Sequence, residues 1–545
     1  MSRRLFLALA APLVLIGQPF QRQTVRIPMR DAVELAADVY THPGGGKGPV
    51  LLMRTPYNKD AQRETAERYA RAGYAVVVED TRGRYASSGA TLPYNNEGQD
   101  GFDTLEWISR QPWSNGRVGM WGASHPGAVQ WQAAAEGAYG LAVLAPTATW
   151  SSFYRNIYVG GAARLALIAR AAAGPRPGVD WSKVLLHLPL TEMDRAIGGE
   201  PLPWLTGILS HNKPDGFLKR LDLTREVEAL RLPAQHIVGY YDFFSRESVA
   251  NFQRLRRNGN QQLILGPWDH GTVGKRKVGE VDFGAAAEID VVEENLAWFD
   301  RFLKEADPKP FPPVRYFSMG DGVWRTSRDW PPPQAQQASF YLRDNGSLSW
   351  RAPKDAPPED KFRTDPANPA PAVPENEARG KYAAIWGPVD QGRTAPGDEQ
   401  LTYDLTLSEA IEFAGPIRAE LWVSANTPDA DWVVKLISVR PCGFAQNLAV
   451  GIQRGSFRES ELHPTPLVPG KVYKINVDVG HAAAHLPAGH ILRVQIAGAY
   501  FPIYDRNTNT GDGPEGKRTL VSTQSVWHTP AMPSRIVLPV LNRKR

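Results

Sequence analysis

The chain has 545 residues, with 62 Lys and Arg against 57 Asp and Glu and a formal net charge of +5. That length exceeds one hydrophobic core and points to two or three domains. The near-balanced charge, with basic runs no denser than the triplet at 275–277, excludes a nucleic-acid groove, and the single cysteine, Cys442, excludes an intrachain disulfide and any thiol metal site.

In chain order, the first element is a targeting segment at 1–20. Two arginines precede an apolar run in "MSRRLFLALAAPLVLIGQPF". The run is shorter than the ~20 apolar residues of a bilayer span, so the segment reads as a signal peptide and no stable membrane span is expected. "SRRLFLA" is similar to a twin-arginine export signal, with Ala8 where the usual pattern carries Lys. The expectation is a bacterial protein exported to the periplasm or beyond.

Residues 21–148 alternate apolar runs with amphipathic stretches. "VLLMRTPY" (50–57), "YAVVVEDTRG" (74–83), "RVGMWGAS" (117–124) and "LAVLAPTA" (141–148) predict buried strands, with helices between them. Two more such strands, "AQHIVGYYD" (234–242) and "QQLILGPWDH" (261–270), fall in residues 231–309. Strands alternating with helices predict an α/β fold with a parallel sheet covered on both faces. The Ala-, Leu- and Trp-rich insertion at 149–230 has helical spacing and is predicted to form a cap. From 310 to 545 the stretches 410–425, 431–441, 471–480 and 490–502 alternate with period two, which predicts a β-sandwich.

The chemistry centres on "GMWGASHPG". Glycines at 122 and 127 flank Ser124 in a G-x-S-x-x-G spacing, close to the G-x-S-x-G of a strand–turn–helix elbow that lifts a serine above the sheet. Asp242 and His270 follow just past later buried strands. The order Ser, Asp, His is the nucleophile–acid–base order of an α/β-hydrolase. His270 is the expected base and Asp242 the group that orients it; Asp269 is the rival acid, disfavoured by its adjacency to His270. His125 adjoins Ser124, but its side chain leaves the elbow in another direction. It is expected to give its backbone N–H to an oxyanion and its imidazole to the wall. Tyr57, in the loop "RTPYNK", is either a phenol aimed into the site or a packing tyrosine after a proline turn.

These stretches, with "EDTRGRYASSG" (79–89), "GYYDFF" (239–244), "LGPWDHG" (265–271) and "FPIYDRNTNTG" (501–511), resemble the cocaine esterase and X-Pro dipeptidyl-peptidase-like (CocE/NonD) family of serine hydrolases, in order, from about residue 24 to the C-terminus. The resemblance implies an α/β-hydrolase domain with an inserted helical cap, then a jelly-roll β-sandwich. It implies Ser124, Asp242 and His270 as the triad, Tyr57 as a side-chain oxyanion donor, and no cofactor. The chain departs where relatives carry Tyr after the nucleophile: here it is His125, then Pro126.

The aromatic stretch 147–167 contains no Asp or Glu. Trp150, Phe153 and Tyr154, with Trp268 of the "GPWDHG" loop, are the expected substrate walls. They favour an uncharged small-molecule ester or amide. An Xaa-Pro dipeptide or an α-amino acid ester (β-lactam) needs carboxylates for its amine, and Asp180, Glu192, Asp194 and Asp215 are the cap candidates. A non-catalytic binding protein on a hydrolase scaffold is the reading from another class. An assembly of identical chains is compatible with the sequence.

Overall fold

A computed structural model describes residues 20–91, 94–174, 176–304, 310–354, 358–375, 384–394 and 398–541. Apart from Phe20, the expected signal segment lies outside the described residues. The first domain is built on strands β1 (Gln21–Pro28), β2 (Glu34–Thr41), β3 (Gly48–Thr55), β4 (Ala75–Asp80), β5 (Ser114–Ala123), β6 (Leu141–Thr147), β7 (Ala234–Gly239), β8 (Gln261–Gly266), β9 (Val314–Ser318) and β10 (Val323–Ser327). They form one sheet in the order β1-β2-β4-β3-β5-β6-β7-β8-β9-β10. From β4 to β9 neighbouring strands run parallel, and antiparallel pairs close both edges.

The parallel strands are mostly apolar because helices cover both faces, and polar residues on them such as Glu79, His236 and Gln262 are buried too. Every residue of β4, β7 and β8 is buried. Helices α1 (Arg63–Arg71), α2 (Glu97–Ser109), α3 (His125–Ala135), α4 (Ser245–Leu255) and α5 (Val291–Leu303) supply the covering layers. Strands β9 and β10 lie beyond residue 310, where the composition changes. The sheet nevertheless continues through them, because β9 pairs with β8 and β10 with β9. The first strand of the second sheet is Gln336–Arg343.

Between β6 and β7 the chain forms a cap of short helices, among them Phe153–Ile157, Leu165–Ala173 and Pro203–Ser210. Ile168, Met193, Leu205 and Ile208 are the buried heart of the cap. A hairpin of Tyr158–Val159 and Ala162–Ala163 projects from it. Its turn reaches the second domain, where the Arg454 N–H donates to the Gly160 carbonyl at 2.8 Å.

The second domain is a β-sandwich of mainly antiparallel strands. Its longest pair is Ile411–Ala425 with Tyr473–Leu486, broken by a register shift between Ile417 and Arg418. Among the described residues no helix is long and apolar enough to cross a membrane.

Candidate active site

Ser124 stands between β5 and α3 with φ 65° and ψ −126°. This is a strained conformation for a residue with a side chain, and it persists only where the surroundings enforce it. The flanking glycines explain how. A Cβ on Gly122 would sit 2.5 Å from the Pro126 Cβ, and one on Gly127 would sit 2.7 Å from the Thr149 Cβ. The unusual G-x-S-x-x-G spacing therefore lets α3 pack directly on the strand and on the loop after β6. The Ser124 backbone is held at both ends: its N–H donates to Thr147 O at 3.0 Å, and its carbonyl accepts from Thr149 Oγ1 at 2.8 Å. His125 opens α3, so its N–H is one of the first-turn donors with no partner inside the helix.

The loop after β3 brings Tyr57 to the serine. The Tyr57 hydroxyl lies 3.4 Å from Ser124 Oγ, and the ring is half exposed. Buried charges anchor this loop. Lys59, two residues on, is 5 % exposed; its N–H donates to Asp80 at 2.7 Å and its Nζ to Asp38 at 3.2 Å.

Two further strand ends supply a buried carboxylate and a second imidazole. The Asp242 side chain is fully buried, and its Oδ2 accepts from His270 Nδ1 at 3.0 Å. Its Oδ1 accepts the Phe244 N–H at 2.7 Å, which fixes the carboxylate in its own turn. Asp269 makes a different structure: it accepts from Gly271 N–H and Thr272 Oγ1 and shapes the turn that carries His270.

Trp268 corrects the sequence expectation. It is not a wall residue: it is fully buried, donates its indole N–H to the Ala287 carbonyl at 3.0 Å and packs on Trp324. The reason lies in two strand-end glycines. A Cβ on Gly239 would come within 1.9 Å of the Trp268 carbonyl oxygen, and one on Gly266 within 2.3 Å of its ring. Trp268 folds back into that space, and its carbonyl accepts the Tyr241 N–H at 3.0 Å. The tryptophan thus ties the His270 loop to the Asp242 loop.

Tyr154 is also displaced from its expected place. It stacks on Tyr158 at 5.3 Å, and its hydroxyl donates to Asn212 O at 3.4 Å, inside the cap. Trp150 and Phe153 do approach the site. An aromatic arc runs from Tyr57 to the second imidazole. Tyr57 meets His125 edge-on (6.4 Å), His125 stacks on Tyr94 (4.4 Å), and Tyr94 touches Trp150 (5.6 Å) and Phe153 (5.2 Å). Trp150 packs on Phe244 (4.4 Å), and Phe244 and Phe243 pack on His270 (5.0 and 4.3 Å). Trp386 closes the arc from the second domain, 5.1 Å from Phe243.

Beside Tyr57 and His125 lies a cavity of about 440 Å³. Tyr94, Glu97 and Asp100 line it on one side, and Leu202 and Trp204 of the cap on the other. Its acidic groups are paired with cations. Glu97 Oε1 lies 3.3 Å from His125 Nε2, and its Oε2 lies 3.0 Å from Arg54. Burial alone would raise the Glu97 carboxyl, but Arg54 and His125 outweigh it and hold the group below the usual carboxylate range. Asp100 pairs with Arg82 at 2.6 Å. The His125 imidazole thus belongs to Glu97 and Tyr94, and that of His270 to Asp242, Phe243 and Phe244.

The cap carboxylates are occupied elsewhere. Asp180 caps a helix beside Ser182 and Lys183, Glu192 pairs with Arg195, Asp194 caps local backbone, and Asp215 pairs with His211. Sequence reasoning missed Tyr94, Glu97 and Trp386. Trp386 lies in a stretch without periodicity, so only the tertiary fold reveals it.

A serine on a strained elbow, an imidazole held by a buried carboxylate and a phenol beside the serine are the parts of nucleophilic acyl transfer. Comparison with known proteins decides the family. Residues 31–272 match the X-Pro dipeptidyl-peptidase (S15 family), and residues 308–537 match the X-Pro dipeptidyl-peptidase C-terminal non-catalytic domain. The chain is 33 % identical to the cocaine esterase of Rhodococcus sp. (strain MB1 Bresler), over 95 % of this chain and 98 % of that one. The chain belongs to the cocaine esterase and X-Pro dipeptidyl-peptidase-like family. It is a serine hydrolase. A putative serine esterase of Mycobacterium bovis is 25 % identical, over 87 % of this chain and 89 % of that one. Among solved structures, an α-amino acid ester hydrolase superposes with a TM-score of 0.85 at 25 % identity, covering 98 % of each chain. An aminopeptidase from a marine sediment Thaumarchaeota archaeon shares the fold, with a TM-score of 0.88 at 24 % identity over 99 % of each chain.

Proposed function

We propose that the protein hydrolyses carboxylic esters of uncharged acyl groups through an acyl-enzyme on Ser124. The observation that carries this reading is the pairing of His270 Nδ1 with Asp242 at 3.0 Å, together with the Tyr57 hydroxyl 3.4 Å from Ser124 Oγ. With Nδ1–H given to Asp242, His270 Nε2 takes the Ser124 proton as Oγ attacks the ester carbonyl. The resulting oxyanion accepts from the His125 N–H and from the Tyr57 hydroxyl. The alcohol leaves with the proton from His270, and water then repeats the sequence on the acyl-enzyme to release the acid and free Ser124.

Substrate choice follows from the walls. A free N-terminus or an α-amino ester carries a cation that needs an unpaired carboxylate. Both carboxylates of the cavity, Glu97 and Asp100, are already paired with cations. The aromatic arc through Tyr94, Trp150 and Phe153 suits an apolar acyl group instead. A parallel assay of p-nitrophenyl butyrate, an Xaa-Pro anilide and an aminopenicillin tests this. The neutral ester should show the highest kcat/KM by at least about tenfold, a margin that an unpaired buried charge supplies. A preference for the anilide would overturn the reading.

We also propose that the protein is exported, on the strength of the arginine pair and apolar run of residues 1–20. Cell fractionation with mass analysis of the mature N-terminus tests it; an intact cytoplasmic chain would contradict it.

A further inference from the structure

Arg164 is a buried charge outside the proposed mechanism. Arg164 links the cap hairpin to the helix Leu165–Ala173 and is 2 % exposed. Taking a guanidinium out of water is costly unless a carboxylate compensates. Arg164 makes no ion pair among the described residues. Its Nη1 donates to the Phe243 carbonyl and, at 3.4 Å, to Asn156 Oδ1, while its Nε has no hydrogen-bond partner. Burial is the largest influence on the group and, with the like charge of Arg246, pushes its pKa down to about 10, against opposing support from Tyr504 and Asp242.

The surroundings show which carboxylate answers this charge. A cavity of about 80 Å³ separates the Asp242 loop from the second domain, and Arg164, Asp242, Arg246 and Tyr504 line it. The other titratable groups facing it are Tyr240, Tyr241 and Tyr500. Arg246 is matched by Asp478, with Nε 3.0 Å from Oδ2. Asp242 is the carboxylate that shares this cavity with Arg164, and Phe243, whose carbonyl Arg164 holds, is the next residue in the chain. Arg164 is itself pinned on both sides by the sandwich. The Ala163 N–H donates to Asp505 at 2.6 Å, and the Ala166 N–H to Pro502 O at 3.1 Å.

We propose that Arg164 is a positioning residue for the catalytic dyad: its charge balances that of Asp242, and its bond to the Phe243 carbonyl keeps the Asp242 loop aimed at His270. The cap–sandwich seam is thereby coupled to the reaction centre. This rests on the assignment of Asp242 and His270 in the preceding section.

The test uses the full-length protein and p-nitrophenyl butyrate. Arg164→Met should lower kcat by about thirtyfold and leave KM within about twofold, as expected for a group acting on the reaction step. It should also move the acidic limb of the kcat/KM profile to higher pH by at least about half a unit, because removing a nearby cation eases protonation of the dyad. Arg164→Lys, which keeps the charge, should restore the limb and most of kcat. A folded Met variant with the parent's limb, or Met and Lys variants with one common profile, would overturn the proposal. Should the Met variant fail to fold, the Lys variant decides alone, since any displacement of its acidic limb from the parent's overturns the proposal. Retained activity in Ser124→Ala would instead sink the underlying assignment, whatever Arg164 does.

Discussion

Ser124, Asp242 and His270 each stand within a few residues of the end of a parallel strand, and each is fixed by its own local turn. The cavity beside them is assembled differently. Tyr94 comes from a long loop, Leu202 and Trp204 from the cap, and Trp386, which closes the aromatic arc, from the second domain. The proposed reaction centre, on strand ends, inherits the rigidity of the sheet, whereas a wall drawn from three separate segments is free to vary without disturbing it. Substitutions in the two regions should therefore fail in different ways.

The largest effect belongs to the reaction centre. Ser124→Ala and His270→Ala should each lower kcat for a short acyl ester by about a thousandfold or more, because members of such a unit fail together. Steady-state kinetics with thermal melting as a control checks this. A loss of only a few-fold in His270→Ala would move the base elsewhere.

Tyr57→Phe comes next, with a loss of about a hundredfold in kcat and little change in KM, the cost of one oxyanion donor. An unchanged rate would return Tyr57 to a packing role.

In the wall the expectation reverses. His125→Tyr and Trp204→Ala should keep kcat within about threefold while shifting KM among acyl chain lengths by about tenfold, the scale of one or two methylenes in an apolar pocket. A collapse of kcat in His125→Tyr would make His125 part of the reaction centre.

The same contrast decides what could be read from the sequence. The elbow was legible because Gly122, Ser124 and Gly127 are close in the chain and their roles are steric. The meeting of Asp242 and His270 was legible because buried strands have a length and a period, which places both residues just past neighbouring strand ends. Trp268 was misplaced because its position depends on space left by Gly239 and Gly266, a tertiary fact. Tyr154 was misplaced because a helical stretch presents aromatics on several faces, and only packing selects the face toward the cap. The boundary near residue 310 followed the change in composition, but β9 and β10 carry the first sheet past it.

The smallest predicted effect is on stability rather than activity. His236 is buried on β7 between Trp131 and Phe252, and burial pushes its imidazole down to about 4 from an ordinary 6.5. Below pH 6.5 the unfolded chain takes up a proton that the folded chain refuses until about pH 4. Stability is therefore full above that window and falls as pH drops through it, by up to about 1.4 kcal/mol per pH unit for one such group. Thermal midpoints between pH 7.5 and 4.5 should decline less steeply in His236→Gln; parallel declines would show that other groups govern the acid limb.

The central claim is a covalent intermediate on Ser124, and intact-mass spectrometry after treatment with a fluorophosphonate tests it most directly. One adduct per chain, mapped by peptide fragmentation to the segment containing Ser124 and absent from Ser124→Ala, is the predicted result. An adduct on another residue, or undiminished labelling of Ser124→Ala, would contradict it.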